Sequence, residues 1–453
     1  MIALLSAREP GAFEAFWSRA VDLAWGKPMV YLLIGAGILF TILCRFLPLW
    51  RWPHAFAVIR GKFDSPDEPG EISHFAALTT ALSATLGLGN IGSVAVAIGT
   101  GGPGALFWMW ISGLVGMSTK FFTCTLSVMY RKKDENGVDQ GGPMYFLEVG
   151  LGKWARPLAV LFAVCGLVGC LSLFQVNQLS GLLETDYGIT DWVTGLACMV
   201  VVGAVILGGI VRVGIVSSRV VPAMVLLYVG SALFIVLYNA SDLPDILVSI
   251  FKAAFGGEAI VGGVAGVTMR EAMITGVKRA AFSNEAGVGT APMAHGAART
   301  REPVREGLIA MLGPLLDTNI VCTLTGLVIL TSGVPYTNSG VVMTADAFQE
   351  AMGGLGRIIL TLVIILFAVT TMISYSYYSL KCAKYLFGEK LGSKYVFVYL
   401  ASLPVAALLG EQTVLDIIDT CFALMAIPTL TGALLLSGKV LTATKDYFSR
   451  MGL

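Results

Sequence analysis

Gly87-Leu-Gly-Asn-Ile-Gly92 sits inside an apolar stretch, residues 75–100, that contains no acid or base. Each glycine weakens a helix by about 1 kcal/mol relative to alanine, so three of them around Asn90 predict an opened turn between two half-helices. A second break follows five hydrophobic segments later. In Phe282-Ser-Asn-Glu-Ala-Gly-Val-Gly-Thr-Ala-Pro292 a carboxylate, an amide, two hydroxyls, two glycines and a proline interrupt an otherwise apolar region. Hydrocarbon tolerates unwound backbone only where it is buried in protein or lines a cavity. Helices interrupted at matching places in two halves of a chain therefore point to a binding site near the bilayer midplane, where only opened backbone offers free amides and carbonyls. Gly87, Gly89 and Gly92 also spell GxGxxG, but a dinucleotide loop needs a strand before it and an acid about 20 residues after. The preceding run reads as helix, and no acid occurs between Glu71 and Asp134.

Composition sets the class. Of 453 residues, 56% are hydrophobic and 13% charged, with mean hydropathy +0.79, against roughly 25% charged in an ordinary soluble domain. This is a polytopic membrane chain, all-α by the length of its apolar runs. A net charge of +1 gives no reason to invoke nucleic acid. The start, with Arg8 and Glu9, lacks the compact pattern of a cleaved signal peptide, so the first helix is expected to stay. All eight cysteines lie in or beside apolar segments with no CxxC pair, which reads as small buried hydrophobes and not as a metal or disulfide framework.

Runs long enough to cross about 30 Å of hydrocarbon begin near Met29, Phe75, Gly104, Arg156, Trp192, Arg219, Val264, Arg305, Gly356, Tyr395 and Thr413. That makes about eleven spans, with 246–255 short enough to lie at the interface. Lysines and arginines test the alternation. Clusters follow spans one (Arg45, Arg51, Arg60, Lys62), three (Arg131 to Arg156), five (Arg212, Arg219), seven (Arg299 to Arg305) and nine (Lys381 to Lys394), and others close the chain. About 21 of the 30 basic residues fall on this one side, which the positive-inside rule makes cytoplasmic. The N-terminus is then expected outside and the C-terminus inside, in a multi-pass protein of the cell (inner) membrane. The two broken spans become antiparallel, as an inverted repeat of five plus five spans requires. The expected units are 1–74 with one extra helix, 75–255 as the first repeat and 256–453 as the second.

Other polar groups inside the spans are candidates for a site or for plain packing. Span two carries Thr79, Thr80, Ser83, Thr85, Asn90 and Ser93; span four carries Gln175, Asn177 and Gln178; span nine carries Thr370, Thr371, Ser374 and Ser376. Hydroxyl oxygens suit a hard cation, and equally often bond their own helix carbonyls. Glu285 at membrane depth costs roughly 2.5–3.5 kcal/mol to insert, so it needs a partner, with Lys278 and Arg279 near in sequence. His295 reads as a loop-facing structural histidine, and Lys120, Asp317, Asp416 and Asp419 as pairs inside the bundle.

The runs SATLGLGNIGSVAVAIGTGGPGALFWMW (83–110), GGPMYF (141–146), FSNEAGVGTAPMAHGAA (282–298) and SYSYY (374–378) resemble the alanine or glycine:cation symporter family over nearly the whole chain. GLGN at 87–90 is also similar to the first broken helix of the neurotransmitter:sodium symporters. The resemblance implies a leucine-transporter-type five-plus-five fold preceded by one extra helix, and sodium-coupled uptake of a small neutral amino acid. Carried over by motif, the substrate site would comprise Thr85, Gly87, Gly89, Asn90, Gln175, Phe282, Ser283 and Tyr375. The amide end around Gly87, Gly89 and Asn90 would hold the carboxylate, and Phe282 and Ser283 would serve the amino group. A sodium site would take carbonyls of Ser83 and Leu86 and hydroxyls of Thr370, Thr371 and Ser374. Two departures matter: Tyr375 stands where many members have tryptophan, and Leu88 where threonine is frequent. A changed pocket wall could favour a larger neutral amino acid such as glutamine, since one methylene is worth only about 1–3 kcal/mol.

The expected mechanism is alternating access, with sodium and a zwitterion bound together between the broken pair. Proton coupling is the alternative for the ion. A channel fits the polar span interiors but not the antiparallel breaks, and a membrane enzyme finds no metal cluster, nucleophile elbow or carboxylate dyad to support it. The bilayer, sodium and a small amino acid are the expected partners; nothing in the chain speaks to oligomeric state.

Overall fold

In the computed structural model the described residues are 11–63, 68–256, 267–336 and 340–452. Arg8, Glu9 and the expected start of span seven near Val264 lie outside them. Helix dominates, and the one sheet among the described residues is an antiparallel hairpin of Lys132–Lys133 with Asp139–Gln140. All of the expected apolar runs with described residues are helical over at least part of their length. Among the described residues six helices are long and apolar enough to cross a bilayer, or seven when Ala12–Ala24 and Lys27–Leu43, bent by 47°, count as one. Asp191–Ile206 and Tyr395–Ala407 are apolar but shorter. The stretch expected at the interface forms the helix Leu243–Ala254. Span six starts earlier than expected, at Gly209 and not near Arg219, because Arg212 and Arg219 sit within the helix itself. Arg212 reaches back to the Ala204 carbonyl, 3.1 Å away, and Arg219 stays exposed, so long cationic side chains lie along a helix that their charge does not interrupt.

The interrupted helices form the centre of the bundle. His74–Thr85 and Leu88–Gly101 together make the first, and their apolar stretch is fully enclosed by other helices. Met269–Asn284 and Ala291–His295 make the second, which packs on Leu88–Gly101 and on Gly104–Met129. Their relative direction follows from two contacts. Gly89 lies against Ser283 and Phe282, whereas Ile72, earlier in the chain, pairs with Ala298, which is later. Following one segment forward therefore means following the other backward. Outside this pair, Gly209–Tyr238 lies on both His74–Thr85 and the long helix Gly354–Gly392, which brings the hydroxyls of that long helix to the first break.

Candidate functional site

The first break is short. Leu86 (φ −73°, ψ 84°) and Gly87 (φ −149°, ψ −154°) leave helical geometry while the chain stays buried. Extended backbone suits any residue, so space and not conformation demands glycine here: a Cβ at Gly87 would fall on the Thr371 hydroxyl. Asn90 closes the turn, its Oδ1 accepting from Gly87 N–H at 2.9 Å and its own N–H donating to Gly87 C=O at 3.0 Å. Leu88 and Gly89 then head the second half-helix, where N–H groups have no intrahelical acceptor and the helix dipole is positive.

The other side of the break presents oxygen. Thr371 Oγ1 donates to the Ser83 carbonyl at 3.0 Å. Ser83 Oγ donates to the Thr370 carbonyl at 2.8 Å and lies 2.7 Å from Ser374 Oγ. Ser83, Thr371 and Ser374 thus gather neutral oxygens beside Leu86, all of them buried, a donor set that fits a hard monovalent cation. Thr370 departs from its expected part. Its hydroxyl donates to Leu366 C=O at 2.8 Å and faces Met224, because the next residue of a helix points about 100° away. Only its carbonyl joins the cluster. Thr85 likewise bonds its own helix, donating to Ala81 C=O at 3.2 Å.

The second break is longer and charged. Glu285 takes up the left-handed conformation (φ 55°), and Gly287 (φ 88°) and Gly289 (φ 104°) continue the turn. Glu285 is not paired with Lys278 or Arg279, the neighbours expected for it. Those two lie nearly two turns earlier and both reach Asp419, Lys278 at 2.7 Å. Glu285 instead accepts from the hydroxyls of Tyr375 and Thr290. Tyr375 is thereby committed to the second break. His295 is also not loop-facing: it is buried and bonds Glu306 at 2.6 Å, with His74 on the other carboxylate oxygen. This ties the start of the first broken helix to the end of the second.

The breaks meet at Gly89, where an added Cβ would lie in ordinary contact with Ser283 (3.4 Å) and the Phe282 ring (3.5 Å). Phe282 packs edge-on against Phe174, centroids 5.0 Å apart. Within the amide cluster of span four, Asn177 donates to Leu409 C=O and Gln178 accepts from Val341 N–H. Gln175 is equally buried, yet its Oε1 has no partner, an open polar atom one residue from Phe174. Asp317 is the residue that sequence reading undervalued. Its carboxylate accepts from Asn90 Nδ2 at 2.9 Å, Ser283 Oγ at 2.6 Å and Thr318 Oγ1 at 2.7 Å. It pins both broken helices to the π-helical segment Leu315–Cys322.

Chemically, the crossing offers amides at a positive dipole, neutral oxygens suited to a cation, an unpaired amide oxygen and an aromatic wall. No group of three or more His, Cys, Asp or Glu among the described residues could hold a metal ion. Solved structures share the architecture: MhsT in complex with L-phenylalanine (TM-score 0.53, 13% identity, 80% of this chain and 89% of that one) and the Eremococcus coleocola manganese transporter (0.54, 12%, 82% and 78%). The fold is thus the leucine-transporter type. In sequence the chain is 40% identical to an uncharacterized transporter of Haemophilus influenzae, covering 97% of each chain. It is 39% identical to the sodium/alanine symporter AgcS of Methanococcus maripaludis (94% and 95%) and 37% to the probable sodium/glutamine symporter GlnT of Bacillus subtilis (94% and 89%). These relatives are transporters and not enzymes. The sodium:alanine symporter family model matches residues 11–452, and the chain belongs to that family.

Proposed function

We propose that this multi-pass transporter carries alanine or glycine into the cell together with sodium, by alternating access. The observation that carries the reading is the first break, where neutral oxygens of Ser83, Thr371 and Ser374 and the open amides of Leu88 and Gly89 lie on opposite sides of Gly87. A sodium ion suits the oxygen side and a carboxylate the amide side, so one opened turn serves both ligands. Phe282 and Ser283 wall the amino end, with Gln175 Oε1 as an acceptor for the ammonium. In this reading Asn90 shapes the turn and does not touch the substrate, since both its side-chain polar atoms are used within the protein.

The core bundle that holds both broken helices would rock against the other helices around the crossing, with the C-terminus cytoplasmic as the basic loops favour. Each net charge moved draws about 2.3 kcal/mol per 100 mV, so transport is electrogenic and inward. Glutamine is the second reading for the substrate, favoured by the 37% identity to GlnT, close to that with AgcS. The test is uptake of labelled alanine, glycine and glutamine into proteoliposomes under a sodium gradient, and under choline with an imposed pH gradient. Sodium-driven, saturable alanine or glycine uptake is expected. Uptake driven by the pH gradient alone, or preference for glutamine, contradicts the corresponding part.

A further inference from the structure

Two cavities open where helices meet the basic loops, and they differ in balance. The larger, of about 370 Å³, lies beside the hairpin of Lys132–Lys133 with Asp139–Gln140. Bases and acids share its wall, and Lys384 pairs with Glu389 at 2.5 Å. The second, of about 330 Å³, has one sign. It lies between the foot of the helix Lys27–Leu43 and the last helix, Ser437–Arg450, and is lined by Arg45, Arg51 and Lys445 with no acid. Among the described residues no carboxylate pairs with any of the three, and Asp446, next to Lys445, is taken by Arg450 at 3.0 Å. Cations gathered at one cavity without a counter-charge call for an anion, and a basic pocket between helices at the membrane surface suits a lipid headgroup.

Local structure holds these cations in place. Arg45 (φ 55°) and Phe46 (φ 57°) are successive left-handed residues, rare without glycine, and they turn the chain sharply after Leu43. Trp50 Nε1 closes that turn by donating to the Arg45 carbonyl at 3.2 Å. The Arg51 guanidinium packs on the rings of Trp50 and Phe448, its Cζ 4.6 and 4.5 Å from their centroids. Stacking leaves the N–H groups in the guanidinium plane for a ligand, and none donates to a described residue. Leu43 and Leu441 give the cavity an apolar wall, and Ile42, Leu49 and Trp52 stand exposed beside it, as at the depth where hydrocarbon gives way to headgroups. A free anion needs the cations alone, whereas acyl chains also need that apolar wall and rim. We infer that Arg45, Arg51 and Lys445 bind the phosphodiester of an anionic phospholipid on the basic side of the membrane, with its chains along Ile42 and Leu43. The bound headgroup ties Lys27–Leu43 to Ser437–Arg450, whose Arg450 holds Glu302, beyond the second broken helix, at 2.7 and 2.9 Å.

Lipid binding is read without transport, so the test stands apart from the choice of substrate and coupling ion. Equilibrium binding of radiolabelled dioleoylphosphatidylglycerol to purified full-length protein in detergent is expected to show a saturable component that dioleoylphosphatidylcholine does not displace. Combining Arg45→Gln, Arg51→Gln and Lys445→Gln is expected to weaken that component about tenfold or more, each base at a membrane surface adding its own share of the attraction. Combining Lys390→Gln, Lys394→Gln and Lys439→Gln also removes three exposed cations, and is expected to leave the affinity within about twofold because attraction fades beyond a Debye length. Equal losses in the two triple variants overturn the site, since net charge alone would then explain binding. Displacement by phosphatidylcholine at equal concentration overturns it as well, and displacement by millimolar inorganic phosphate overturns the lipid in favour of a free anion. If the first triple variant does not fold, Lys445→Glu decides: the residue is exposed, reversing its charge is expected to weaken binding about tenfold, and unchanged affinity counts against the site.

Discussion

The two breaks look alike in sequence and differ in construction. The first is two residues of uncharged backbone, closed by Asn90 and faced by the hydroxyl of Thr371. The second runs from Glu285 to Thr290, uses three left-handed residues, and is stitched by a buried carboxylate to Tyr375 and Thr290. Neutral groups that exchange partners cheaply suit ligands that must come and go. A carboxylate bonded on both oxygens suits a joint, because removing one partner strands a buried charge. The first break is on this view the binding element and the second mainly a brace, meeting substrate only through Phe282 and Ser283.

Substitutions can break or sharpen this contrast. Gly87→Val should have the largest effect: its side chain collides with the Thr371 hydroxyl, and sodium-driven uptake is expected to vanish with the folded protein still in the membrane. Wild-type uptake by this variant would mean that Gly87 and Thr371 do not frame a site. Thr371→Ala removes a single oxygen and should raise the sodium concentration for half-maximal uptake about tenfold, equivalent to ~1.4 kcal/mol. Tyr375→Phe probes the brace. Leaving Glu285 one donor short should cost roughly 1–3 kcal/mol of stability, seen as a lower melting temperature with unchanged sodium affinity. Weakened sodium affinity at full stability would make the second break a ligand site. Thr370→Ala should do least, since its hydroxyl only bonds its own helix and Met224; sodium affinity is expected to stay within about twofold, an energy difference of under ~0.5 kcal/mol.

Much of this was legible in the chain because the bilayer makes exceptions conspicuous. Glycines and an asparagine in a stretch without charge revealed the first break, and the amides at 175–178 stood out on an apolar helix. What escaped depended on long-range geometry. Tyr375 is 90 residues from Glu285, so sequence proximity favoured Lys278 and Arg279 wrongly. Thr370 and Thr371 are adjacent and chemically identical, and only the packing of Gly354–Gly392 decides which one faces the break. Asp317 sits in a π-helical turn, whose extra residue shifts which side chains share a face. His295 lost its expected exposure for a related reason, since Glu306, which also holds His74, comes to it from another segment.

The claim at the centre is that opened backbone at the first break binds the zwitterion. It is tested most directly by an experimental structure with sodium and alanine bound. The predicted result is alanine density with its carboxylate on the amides of Leu88 and Gly89 and its ammonium toward Phe282, Ser283 and Gln175. Alanine lodged elsewhere, with residues 83–92 wound into one continuous helix, would contradict it.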